Sequence, residues 1–256
     1  MSKYETVTTV LSIIAIFLSI FIPLVQWIWK KWIVTARVNF YITGQATLYF
    51  NQSGSYIRIY GVLESERKAA TIKKLSLVLT RRRDEQKLNL VWSCLISPVN
   101  QGMFGNYVQT TEIAHPFRVE ADSVACAFIE YSDPSDSSSI KIQKICSELN
   151  TTISKIAPDH TYNEVLKIFS ESSEYIDAKN NLLSDFFWEI GKYSADIIVE
   201  YNQKKTKTFS YEFAVSEQNY MDLRNNIDES LITSIKNFYK VSPGFKSPMI
   251  EISEKN

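Results

Sequence analysis

From Thr6 to Trp29 the chain carries no charged side chain, and most positions are Val, Leu, Ile, Phe or Ala. As an α-helix rising ~1.5 Å per residue this run covers about 36 Å, enough to cross a hydrocarbon core of about 30 Å with some tilt. Trp27, Trp29 and Trp32 gather at one end, where indole rings favour the headgroup level, and a membrane helix tolerates Pro23. A secretory signal peptide fits poorly. Lys3 is followed by Glu5, the apolar stretch exceeds the usual ~7–15 residues, and no small-x-small cleavage site precedes Lys30. The expectation is a short tail over residues 1–5 and a membrane anchor with its tryptophan belt over 6–32.

Flanking charge sets the expected orientation. Lys30, Lys31 and Arg37 follow the run, and no acidic residue appears until Glu64. The positive-inside rule therefore predicts a single-pass protein of the cell (inner) membrane, with its N-terminus outside and its C-terminal part cytoplasmic. Cys94, Cys126 and Cys146 are odd in number and lack metal-type spacing, in keeping with a reducing compartment. Asn51-Gln-Ser and Asn150-Thr-Thr match glycosylation sequons, a pattern that matters only in a eukaryotic secretory lumen. Usage rich in Lys, Ile, Asn and Ser is compatible with a bacterial source.

Beyond Trp32 the apolar residues alternate. Ile57 and Ile59, then Leu75, Leu77 and Leu79, then Leu88, Leu90, Trp92, Cys94 and Ile96 each mark a strand with one buried face. Val124 to Ile129 is apolar on both faces, as in a central strand, and Ala36 to Phe50 supplies one or two strands more. From about 138 to 190 the period turns helical, with Ile142, Ile145, Leu149, Ile153 and Ile156 at three- and four-residue steps. Pro158 ends that helix, and Thr161 with Glu164 forms a capping box for the next. Ala195–Tyr201 and Phe209–Val215 then read as a hairpin, and Tyr220, Leu223, Ile227, Leu231, Ile235 and Phe238 form the stripe of a closing helix over 216–241. The predicted fold is an Ig-like or arrestin-like antiparallel β-sandwich over 33–215 with a helical insertion, followed by the helix and a flexible tail over 242–256. Two independent domains is the competing arrangement, and neither analogy assigns a function.

The chain has 28 basic and 28 acidic residues, so no net charge favours nucleic acid, and its 7 Gly and 2 His leave little material for phosphate loops or imidazole sites. His115 and His160 lack ligand-spaced partners, no nucleophile elbow or Gly-rich phosphate motif occurs, and the GxxG at Gly102–Gly105 is too short to carry weight. Asp133 and Asp136 flank Pro134 without the further oxygens and turn glycine of a calcium loop. The expectation is no catalytic, cofactor or metal site, no small-molecule substrate, and a non-enzymatic interaction, sensor or scaffold module. The alternatives are an accessory or effector subunit of a transport, envelope or antiviral-defence complex, or a membrane-tethered enzyme with an unrecognised carboxylate site.

Two sets of contact residues stand out. Arg81, Arg82 and Arg83, with Met103 and Phe104 in the long Ser97–Pro116 loop, are candidates for lipid or partner contact. Thr8, Ser12, Ala15, Ser19 and Gln26 fall at steps of four, three, four and seven, a seam through which the membrane helix could self-associate or dock on another membrane helix. The expected partners are the bilayer and another membrane or cytoplasmic protein.

Overall fold

The computed structural model describes residues 3–29, 34–97, 100–101, 107–108, 110–134, 137–203 and 205–255. The apolar run forms one helix, α1 (Lys3–Ile28), whose Val10–Ile28 segment has a mean hydropathy of 2.4 and no buried share. None of the other described residues covers it. Its length and composition suffice to cross a membrane.

The strands follow from Arg37 onward. In chain order they are β1 (Arg37–Asn51), β2 (Gly54–Glu66), β3 (Ala70–Arg81), β4 (Lys87–Ile96), the two-residue strands β5 (Asn100–Gln101) and β6 (Tyr107–Val108), β7 (Thr111–Ile113), β8 (Phe117–Val119) and β9 (Ser123–Ser132). Three helices come next, α2 (Ser137–Ile156), α3 (Tyr162–Ser170) and α4 (Ser173–Ser184). The chain closes with β10 (Gly191–Tyr201), β11 (Lys205–Val215), α5 (Glu217–Phe238) and β12 (Met249–Glu254). The Thr161–Glu164 capping box opens α3 as the spacing predicts.

The expected sandwich is corrected to a barrel. Around the ring the order is β4-β9-β2-β1-β12-β11-β10-β3, and β3 pairs again with β4, so eight antiparallel strands close on themselves. The deciding strand is β4, which pairs β3 through Ser76↔Val91 to Thr80↔Lys87 and β9 through Val91↔Ser132 to Ile96↔Phe128. Without the β3–β4 pairing the two ends of this strand order would stay apart and the sheet would be open. The second closing element is β12, in the stretch expected as a loose tail. It pairs β1 at Gln45–Thr47 and β11 at Tyr211–Phe213. β7 pairs beside β4 at Cys94–Ile96 and β8 beside β3 at Ala70–Ile72, which covers the part of the β3–β4 seam that does not pair directly.

Period-2 alternation fills the barrel rather than lining a channel. Phe40, Leu48, Ile57, Ile59, Leu63, Ile72, Leu75, Leu77, Ala127, Ile129, Ala195 and Ile197 all point inward and are buried. The late hairpin belongs to the same barrel, because β10 runs beside β3 from Tyr193↔Arg81 to Tyr201↔Ile72. β9 has one apolar face, not two: Ala127, Ile129 and Tyr131 are buried, while Val124 is 65% exposed. β1 bends at a register shift between Ile42 and Ala46, where Gly44 takes φ 86°. Across from it Gly61 gives the Phe40 ring its place, since a Cβ there would meet Phe40 Cζ and the Tyr41 carbonyl oxygen at 2.7 Å.

The helices cap one end. Phe186 sits edge-on to Phe50 with centroids 5.1 Å apart, and Trp188 donates from Nε1 to the Tyr49 carbonyl at 3.0 Å. Gln52 reaches the Ser230 carbonyl of α5 at 3.1 Å, and Tyr175 of α4 donates to Asp228 of α5. Barrel and helices thus share one apolar core.

Candidate interaction surfaces

The fold gives the barrel two unlike ends. β1, β3 and β9 all leave from the end where α1 attaches, and β2, β4 and β10 return to it. Residues 67–69, 120–122 and 202–203 therefore lie at the anchor end, whereas Gln52–Ser53, residues 82–86 and the helices lie at the far end. The Val34 backbone N–H donates to the Trp29 carbonyl at 3.0 Å, which holds the anchor end beside the end of α1.

The arginine run sits at the far end. Arg81 is buried and donates to both oxygens of Asp84 at 2.6–3.1 Å and to the Phe187 carbonyl at 3.0 Å. It also bonds the Gln86 side-chain oxygen and lies 3.3 Å from Glu189. Arg82 pairs with Glu212 at 2.7 Å and Arg83 with Glu189 at 3.2 Å. The hydrogen bond from Arg81 holds the Asp84 carboxyl down to about 2. All three guanidiniums thus serve a turn-fixing network on the side of the barrel away from α1. Met103 and Phe104 lie outside the described residues.

Along α1 the proposed seam is exposed at Thr8, Ser12, Ala15, Ser19 and Gln26. Ser12 donates to the Thr8 carbonyl at 2.9 Å and Ser19 to the Ile16 carbonyl at 2.8 Å, so both hydroxyls are satisfied within the helix itself.

The titratable candidates are scattered. His115 and His160 are exposed, each with Nδ1 3.0 Å from a nearby backbone carbonyl, of Ile113 and Ile156 respectively. Burial pushes the Cys94 and Cys146 thiols up, and Cys146 donates to the Ser230 carbonyl at 3.7 Å. Among the described residues no group of His, Cys, Asp or Glu has the geometry to hold a metal ion. Asp133 borders a cavity of about 30 Å³ beneath the helices, with Ser55, Leu88, Ile142, Asp185 and Phe187. That is room for about one water molecule. Asp136 lies outside the described residues.

The anchor end carries what the sequence did not single out. Two open hollows of about 700 and 820 Å³ lie there, one along Val34–Ala36, Lys68, Thr71, Lys73 and Lys205, the other along Trp29, Arg67, Lys68, Arg118 and Asp122. Arg37, Arg67, Lys68, Lys73, Arg118 and Lys205 are all exposed around this rim. Its carboxylates are engaged within the rim: Glu120 takes Arg118 at 2.8 Å, Glu66 lies 3.7 Å from Arg37, and Asp122 accepts the Arg67 backbone N–H at 2.8 Å. Just inside, Lys207 donates to the Val38 carbonyl and Asn39 Oδ1 at 2.9 and 2.8 Å, and burial together with the Arg37 charge lowers its pKa.

Fold and surface together define a long apolar helix joined through a short linker to a solid antiparallel barrel capped by helices. No family model matches the chain, and no curated protein matches it. Among solved structures it is similar to a family 123 glycoside hydrolase from Clostridium perfringens, studied for hydrolysis of glycolipid glycans. The identity is 10% and the TM-score 0.31, over 71% of this chain and 27% of that one. This chain therefore spans about a quarter of the hydrolase's length. The expectation of a non-enzymatic protein is withdrawn. A likeness of this degree assigns neither activity nor fold.

Proposed function

We propose that the protein is a single-pass membrane protein whose barrel stands on the cytoplasmic face and works as an interaction or sensor module. The observation that carries this reading is the pairing of a fully exposed apolar helix with a barrel whose interior is closed to ligands by its own side chains. Such a helix has a use in lipid and a cost in water. With the interior packed solid, recognition falls to the outer surface and the loops. The cytoplasmic placement is supported by Lys30, Lys31 and Arg37 beside the helix, with no acid before Glu64.

The test uses two C-terminal fusions of the full chain in cells, one reporter active only after export and one active only in the cytoplasm. The expected result is activity of the cytoplasmic reporter alone, with the protein resisting alkaline extraction from membranes. Activity of the export-dependent reporter would reverse the orientation, and release by alkali would remove the anchor. In the same membranes, a bifunctional crosslinker should convert the chain into discrete heavier species. A chain that stays at monomer size under all crosslinking conditions contradicts the interaction reading.

A further inference from the structure

We infer that the basic rim at the anchor end of the barrel binds the headgroups of anionic phospholipids in the bilayer that α1 crosses, an inference that rests on α1 being a membrane anchor. Three observations converge on it. The first is position: Trp29, at the end of the apolar helix, borders the same hollow as Arg67, Lys68, Arg118 and Asp122. The Val34 backbone N–H donates to the Trp29 carbonyl at 3.0 Å, which holds this end of the barrel beside the end of the helix. The second is charge left over after internal pairing. Glu66 and Glu120 pair with Arg37 and Arg118, and Asp122 keeps its charge while accepting the Arg67 backbone N–H; against it stand Lys73, Lys205 and the Arg67 guanidinium, which have no ion-pair partner among the described residues. The third is contrast with the opposite end. There the comparable run Arg81–Arg83 is wholly engaged by Asp84, Glu189 and Glu212. Cations fixed within a Debye length of an anionic surface gain from it, and these are the ones the fold leaves unspent on that side. Lys30 and Lys31 of the linker add to the same field.

The chemistry asked of the rim is simple. Exposed ammonium and guanidinium groups meet phosphodiester oxygens, with Arg67 able to offer two parallel N–H donors. Such contacts would hold the barrel upright on the membrane and make its posture depend on lipid charge.

The experiment uses the full chain reconstituted in nanodiscs containing phosphatidylcholine with about one-third phosphatidylglycerol. Native mass spectrometry then reads which lipids stay bound to the released protein. The wild-type chain is expected to retain phosphatidylglycerol in excess of its share in the disc. A variant with Arg67→Glu, Lys73→Glu and Lys205→Glu should lose that excess by about fivefold or more, the factor one basic residue near an anionic surface contributes. A control with Lys144→Glu, Lys155→Glu and Lys167→Glu, the same charge change on exposed positions of the far-end helices, should keep it. Circular dichroism of both variants checks that the barrel is intact. Equal enrichment in wild type and rim variant would overturn the inference and leave the linker lysines as the source. Equal loss in both variants would overturn it in favour of net charge. Failure of the chain to enter the discs would overturn the anchor reading itself, whereas entry without enrichment counts against the rim alone.

Discussion

Trp188→Ala is expected to destabilise the protein by about 3–5 kcal/mol, the range for removing a large aromatic from a well-packed core. The indole is completely buried, donates to the Tyr49 carbonyl at 3.0 Å, and packs against Phe187 and Tyr193 with centroids 5.5 and 6.0 Å apart. It is the point where the helical cap and the barrel wall meet. Its removal therefore opens a cavity and leaves a backbone carbonyl without its donor. At about 2–4 °C per kcal/mol for a domain of this size, the midpoint of thermal unfolding of the full chain in detergent should fall by about 10 °C. Trp92→Ala should cost about a third of that, because Trp92 is only partly buried, packed on Phe117 at the edge of the core. Equal losses for the two tryptophans would mean that the cap does not lock onto the barrel at Trp188.

The second large effect is expected at Arg81. Its buried guanidinium joins the β3–β4 turn to the Phe187 carbonyl and to Glu189 ahead of β10, so it ties three segments together. Arg81→Met keeps the length of the stem and removes every donor, at an expected cost of about 3 kcal/mol. Arg81→Lys should recover part of this but not all, since an ammonium cannot reproduce the fork onto Asp84 and the carbonyl together. The pair also predicts a sign for acid sensitivity. Asp84 is held below its ordinary value of 3.8, to about 2, so its contribution is fully present above pH about 4 and fades as the pH falls toward 2. A urea midpoint measured against pH should therefore lose less between pH 4 and 2 in Arg81→Met than in the wild type. An identical acid slope in both would mean that the turn is not held by this contact.

Most of the strands were legible in the sequence, and their closure was not. Alternation at Ile57–Ile59, Leu75–Leu79 and Ala195–Tyr201 tells which side chains turn inward, but an inward face looks the same in a sandwich and in a barrel. The difference lies in hydrogen-bond partners, and β4 decides it by pairing on both sides. β12 escaped notice because it is short, follows the Pro and Gly of residues 242–248, and offers only Ile250 and Ile252 to the core. Trp92 continues the Leu88–Leu90 alternation and sits opposite the buried Tyr131, yet it is only partly buried beside Phe117. The register shift between Trp92 and Cys94 then passes the inward phase to Leu95, opposite Ile129, and takes Cys94 out of the expected inward set. The surfaces divide in the same way. Arg81–Arg83 was conspicuous as a run, yet the structure spends it on neighbouring carboxylates. The rim was invisible because Arg37, Arg67, Lys73, Arg118 and Lys205 stand far apart in sequence and meet only through the strand order.

The posture of the barrel on the membrane is the claim on which the account depends most. It is tested directly by attaching a fluorophore to the full chain at either end of the barrel, through Gln203→Cys or Lys87→Cys, with Cys94 and Cys126 replaced by Ser. Both positions are exposed, Gln203 in the β10–β11 turn at the anchor end and Lys87 at the start of β4 at the far end. At about 3.3 Å per residue and the usual strand tilt, the two ends of a barrel with strands of this length stand roughly 25–30 Å apart. In vesicles containing a headgroup-linked quencher, the label at position 203 should be strongly quenched and the label at 87 left bright. Equal quenching at both positions, or stronger quenching at 87, would contradict the account.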